Sequence, residues 1–309
     1  MSTRAEPTST QVHLSYPEPI TLGPLLRTID AHAVPGLEVC DLAARRHSRV
    51  VRGGETVVTV EWAAPGRLTL SATGCTGPVV VDDALVGLVR RWLDLDRDVD
   101  VADAHLRRSE LLRPLVAARP GLRVLGSTDG FETAVMTVLG QQVSLAAART
   151  FGGRLVAGLG SPAPAGLRAF PGPAVLAATD AEDLRALVGL TRARAATVVT
   201  LARAVADGAV HLGWEVAGAP PVHHSSEDGV PDPDELRASL IALPGIGPWT
   251  ADYLALRVLG DRDAYPADDL VFKRALGVPT GRAAAALSGD WAPWRACAVT
   301  HLWTQAVYG

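Results

Sequence analysis

Asp268 and Asp269 follow the turn Tyr265-Pro266-Ala267 and open an apolar, helix-like run through Val271, Phe272, Ala275 and Leu276. An aspartate ahead of a helix usually caps it. Two in a row allow both roles, so we assign the cap to Asp268 and the working carboxylate to Asp269. A fixed carboxylate in a dry site can stabilise an adjacent cation and orient or deprotonate a water. About twenty residues earlier runs Leu243-Pro244-Gly245-Ile246-Gly247-Pro248-Trp249-Thr250-Ala251, between helix-like segments at 236–243 and 249–259. Glycines at 245 and 247 let the backbone turn with φ > 0 and leave its amides uncovered. Those amides stand at a helix N-terminus, where unpaired N–H groups and the dipole favour an anion such as phosphate. Trp249 and Tyr253 are four apart and share a helix face; Trp303 lies on the last helix with Val299 and Val307. Such aromatics either fill a core or line an electron-rich pocket for a cationic ring.

The Gly-Pro hairpin with a downstream aspartate resembles the helix-hairpin-helix motif of the DNA glycosylase superfamily. PGIGPWTADYLALR, the following DDLVFKRAL and the closing WAPWRACAVTHLW resemble, more narrowly, the AlkA-type 3-methyladenine DNA glycosylases, over most of the chain from about Val12. The resemblance implies an α+β fold: a small N-terminal antiparallel α/β domain, then a mostly helical helix-hairpin-helix core of two lobes. It implies a glycosylase that flips alkylated purines from double-stranded DNA and hydrolyses the N-glycosidic bond in base excision repair, with Asp269 essential. As the base leaves, the sugar carbon becomes oxocarbenium-like, and one carboxylate suffices because an alkylated purine is already cationic. It further implies a base pocket of Trp249, Tyr253 and Trp303, and a DNA-backbone hairpin of Gly245, Ile246, Gly247 and Thr250. Gln142, in the loop 140–143, falls on the wedge position, where the family pattern has an apolar residue. Thr28 stands where that pattern often has an aromatic. No organic cofactor is expected; the family hairpin often holds Na+ or K+ on main-chain carbonyls, here those of Ile241, Leu243 and Ile246. Relatives that also cut the strand carry a Schiff-base lysine two residues after the second hairpin glycine. Here that residue is Trp249, and Lys273 is the sole lysine of the chain, so no lyase activity is expected. Two other readings stand beside this one: a non-catalytic helix-hairpin-helix protein that binds damaged DNA, and a related glycosylase for deaminated purines.

Composition bounds these readings. The 309 residues are 48% hydrophobic, enough for two or three compact units. Three cysteines, far apart, fit neither a disulfide scaffold nor a four-cysteine cluster. No apolar run reaches the ~20 residues of a membrane span, and the N-terminus lacks signal-peptide order, so a cytoplasmic protein is expected, and the resemblance implies one that is nucleoid-associated and monomeric. The net charge of −4 is unusual for a DNA-binding protein and requires a local patch and backbone amides.

The elements that must position these residues follow from periodicity. Residues 1–11 read as a disordered tail and 12–98 as the α/β domain. Within it, a helix over 22–33, strands at 50–52 and 56–62 around Gly53-Gly54, and an alternating strand through Leu68, Leu70 and Ala72 are predicted. Residues 99–125 connect and pack on the C-terminal lobe, 126–260 form the helical domain ending in the hairpin, and 261–309 the C-terminal lobe. Asp129 and Glu132 have capping-box spacing, and Ser144 caps the next helix. Arg192 and Arg194 read as solvated. Residues 214–233, with His223-His224, read as a loop without a metal.

Overall fold

The computed structural model describes residues 10–213 and 232–308. The tail and most of the 214–233 loop, including His223 and His224, lie outside the described residues.

An antiparallel sheet opens the chain, formed by β1 (Gln11–Ser15), β2 (Glu38–Asp41), β3 (Arg46–Val51), β4 (Thr56–Ala64), β5 (Arg67–Gly74) and β6 (Gly77–Pro78). Its order is β1-β5-β4-β3-β2, with β6 also on β5. The register opposes Val60 to Leu70 and Val50 to Val57. Alternation sends Val58, Val60, Trp62, Leu68, Leu70 and Ala72 to one face, under the helices Leu22–His32 and Asp83–Trp92. Val50 and Val57 point the other way and pack with Val34, Leu37 and Val156, the last from the helix Leu145–Leu159. The sheet is thus covered on both sides, the second side by the helical part of the chain.

The helical part has two cores. One joins Phe131, Val135 and Val138 to Val198, Leu201, Leu240 and Leu254, uniting helices from Gly130–Gly140 to Pro248–Leu254. The other joins Ala102, Leu106, Leu112 and Val116 to Phe272, Trp291, Val299 and Leu302. Residues 99–125 therefore pack against the C-terminal helices Leu270–Leu276 and Arg295–Tyr308.

The predicted capping box is only half built. Asp129 accepts from the Glu132 amide at 2.9 Å, but the Glu132 carboxylate turns away to Arg49 of β3, 2.6 Å distant. Arg49 also meets Glu38 at 3.4 Å, and His47 Nε2 lies 3.0 Å from Glu38. This buried cluster fastens the sheet to the helical core. Burial alone would raise Glu38, yet Arg49 and His47 outweigh it and hold its pKa at about 2. One guanidinium cannot neutralise two carboxylates. Burial therefore raises Glu132 to about 7, with the charge of Glu38 adding to the rise and Arg49 only partly opposing it.

Candidate active site

Asp269 is itself the cap. Its Oδ1 accepts from the Phe272 amide at 2.9 Å, and its Oδ2 from the Trp249 indole N–H at 3.0 Å. Asp268 does not cap the helix; it is exposed and pairs with Lys273 Nζ at 3.6 Å. The separation of roles expected from the two carboxylates therefore fails. A carboxylate has room for about four hydrogen bonds, so capping leaves Asp269 with lone pairs to spare. It is half-buried and lines a cavity of about 460 Å³.

Trp249, Tyr253 and Trp303 line the same cavity. Trp249 and Tyr253 stack, with centroids 5.4 Å apart and planes 16° from parallel. Trp303 tilts at 59° to Tyr253 with centroids 5.9 Å apart. A ring slipped between two others needs about twice the ~3.5–4.0 Å carbon contact distance, so no base fits between Tyr253 and Trp303. Trp249 has a second task that spacing could not reveal, as the clamp on the Asp269 carboxylate. Lys273 is not among the cavity-lining residues.

The cavity does not belong to the helices alone. Thr28, His32, Glu38, Arg49 and Trp92 of the N-terminal unit form part of its wall. The N-terminal unit therefore contributes to the cavity as well as to the fold. Thr28 does face the site, and with a short side chain there the space runs back to the Arg49 cluster.

At the hairpin only one glycine uses its left-handed freedom. Gly245 has φ 86°, and a Cβ there would sit 2.1 Å from Thr197 Oγ1. Gly247 has φ −104° and serves as N-cap of the helix Pro248–Leu254; a Cβ there would meet nothing within 4 Å. The expectation of φ > 0 at both is corrected: Gly245 is there for packing, Gly247 for an open amide face. Ile246 is buried, and its amide donates to the Leu243 carbonyl at 3.2 Å. Thr250 is also buried, its Oγ1 accepting from Gln141 Nε2 at 3.2 Å.

Gln142 is exposed at the loop tip with φ 55°, a conformation that costs a residue with a Cβ roughly 1–2 kcal/mol. Gln141, missed by the sequence reading, binds the loop to the hairpin by donating to the Gly245 carbonyl at 3.2 Å. Arg194 is not a solvated arginine: it donates to the Gln141 carbonyl. Arg192 is solvated, 83% exposed and paired with Glu182.

Two family models match in succession. Residues 11–129 match the AlkA N-terminal domain, and residues 135–278 the HhH-GPD superfamily base excision DNA repair protein. DNA-3-methyladenine glycosylase 2 of Escherichia coli is 30% identical over 296 residues, 94% of this chain and 95% of that protein. The chain belongs to the AlkA-type DNA glycosylases. A probable bifunctional transcriptional activator/DNA repair enzyme AlkA of Mycobacterium tuberculosis is 37% identical over 89% of the chain; the chain spans about half, 52%, of that relative's length. Among solved structures, a 3-methyladenine DNA-glycosylase from Archaeoglobus fulgidus superimposes with TM-score 0.76 at 18% identity, covering 96% of this chain and 99% of that one. The apo form of an 8-oxoguanine glycosylase/lyase from Clostridium acetobutylicum gives 0.71 at 16% identity, covering 96% of each chain. At these identities the two establish the shared fold alone. Among the described residues no helix is long and apolar enough to cross a membrane.

Proposed function

We propose that this protein turns an alkylated purine of the 3-methyladenine type out of double-stranded DNA and hydrolyses its N-glycosidic bond in base excision repair. The observation that carries this reading is Asp269, anchored by two N–H groups at the edge of an aromatic-walled cavity. The hairpin amides hold the strand, Gln142 enters the gap left by the nucleotide, and the base enters the cavity against Trp303. As the C1′–N bond breaks, the Asp269 carboxylate stabilises the cationic sugar and directs water to it. The Asp269 anchoring keeps that charge in place without reorganisation, which is where such electrostatic catalysis gains its strength.

No lyase step is assigned. Trp249 occupies the Schiff-base position and spends its N–H on Asp269, and Lys273 stands outside the cavity wall. The main-chain carbonyls of Ile241, Leu243 and Ile246 are hard oxygen donors suited to Na+ or K+, although the Leu243 carbonyl already accepts from Ile246. Such an ion would add positive charge where the phosphate docks. The protein acts as a monomer in this reading, with DNA as its partner.

The test is base release from methylated duplex DNA by wild type and Asp269→Asn. The isosteric amide keeps the cap geometry and loses the charge, so release should fall by about 100-fold or more while DNA binding persists. Equal release by both proteins removes Asp269 from the mechanism. Binding without release by either would leave a damaged-DNA-binding protein.

A further inference from the structure

One wall group of the cavity is at odds with a site built only for cations. The hairpin helix continues past Leu254 into a π-helical turn, Ala255–Leu259, a distortion that recurs at functional sites. Arg257 lies at its centre, so that Trp249, Tyr253 and Arg257 follow one another at four-residue intervals along one cavity wall. Arg257 Nη1 donates to the Tyr253 hydroxyl at 3.2 Å and Nη2 to the Gly126 carbonyl at 3.3 Å. Its Nε is buried without a partner. Its guanidinium carbon lies 5.7 Å from the Tyr253 ring centroid, on the aromatic surface a cationic base would seek.

Of the other arginines on the cavity wall, Arg149 also meets no carboxylate and gives its Nε to the Ala33 carbonyl at 2.8 Å. Arg49, Arg97, Arg237 and Arg295 all meet carboxylates, and Arg123 gives its terminal nitrogens to the carbonyls of Asp94, Arg97 and Pro17 while its Nε, like that of Arg49, is buried without a partner. Among the described residues no carboxylate lies within ion-pair reach of Arg257. A guanidinium carries its charge throughout the physiological range, and an uncompensated one in a protein wall is costly. Its remaining donors want an acceptor that the chain does not supply.

We infer that Arg257 sets the choice between neutral and cationic lesions, by stabilising a purine that departs as an anion and opposing one that arrives as a cation. This rests on the glycosylase reading above. In either case the C1′–N9 bond breaks with its electron pair leaving on the purine. Water then forms the C1′–O bond and releases a proton to Asp269 or solvent. A cationic N-alkylpurine takes the pair and leaves neutral, needing no help. A neutral purine takes the pair and leaves negative, and a guanidinium beside its ring nitrogens or oxygen stabilises that charge as it develops. Trp249, Tyr253 and Trp303 favour the first class through their faces; Arg257 serves the second.

The experiment compares single-turnover release from two duplexes of one sequence, one holding hypoxanthine and one 7-methylguanine, by wild type, Arg257→Gln and Arg257→Lys. Removing a unit charge from the cavity wall should change the hypoxanthine-to-methylguanine rate ratio about tenfold or more. In Arg257→Gln we expect hypoxanthine release to fall by that factor and methylguanine release to hold or rise; in Arg257→Lys the ratio should stay near wild type. Both rates come from one preparation, so loss of folded protein cancels in the ratio. A ratio unchanged in Arg257→Gln, or one that falls equally in Arg257→Lys, overturns the assignment. Release of neither base by wild type would instead overturn the glycosylase reading, and this inference with it.

Discussion

In the proposed mechanism Asp269 combines two jobs that sequence logic had divided between neighbours. The capping bond to the Phe272 amide and the indole bond from Trp249 leave the carboxyl little freedom to rotate. Pre-positioning of this kind avoids the entropy of fixing a catalytic group during reaction. Trp249 therefore matters to chemistry by a route other than stacking. In the proposed mechanism the same residue fills the place where a Schiff-base amine would stand. Sodium borohydride added during turnover on damaged duplex DNA should consequently trap no covalent protein–DNA adduct, as read on a denaturing gel. An adduct that disappears in Lys273→Gln would mean that the lysine leaves Asp268 and enters the cavity.

At the level of elements, the hairpin depends on a close approach between helices. Gly245 lies so near Thr197 that even a methyl group meets Oγ1 of the helix Arg192–Ala206 at 2.1 Å, on a backbone with φ 86°. Gly245→Ala should thus cost roughly 1–3 kcal/mol of stability and weaken retention of undamaged duplex DNA, measured by thermal melting and by a binding titration at low salt. An alanine variant that melts and binds like wild type would show that the turn has slack that the packing hides. Much of this level was legible in the sequence. The hairpin, the strands around Gly53-Gly54 and the alternating Leu68-Leu70-Ala72 run announce themselves through glycine placement and period-two burial. β2 was not legible, because it is short and places the charged Glu38 inward, which breaks the alternation that marks a strand. Glu132 was read as a cap for a similar reason: its true partner, Arg49, lies 83 positions away, where local spacing carries no information.

For the whole molecule, the Glu38–Arg49–Glu132 cluster makes the sheet unit and the helical core depend on each other. Glu132 is raised in the fold, so its protonated form favours the folded state. That contribution is fully present below its ordinary value of 4.5 and is lost as pH rises through about 7. Glu38 has the opposite sign: its contribution is present above 4.5 and lost as pH falls toward about 2. Between pH 5 and 8 the buried His301, lowered to about 4, adds stability as pH rises toward 6.5, so the Glu132 contribution is read as a difference: wild type should lose stability relative to Glu132→Gln over that range, on the order of 1–3 kcal/mol. Urea unfolding at a series of pH values checks this; parallel curves for the two proteins would assign the pH dependence elsewhere. The shared cavity wall has a different consequence. Thr28 and His32 stand on a helix that holds none of the reacting groups. In the glycosylase reading, what the cavity admits can therefore drift through changes in one half of the chain, while the half that holds Asp269 keeps its geometry.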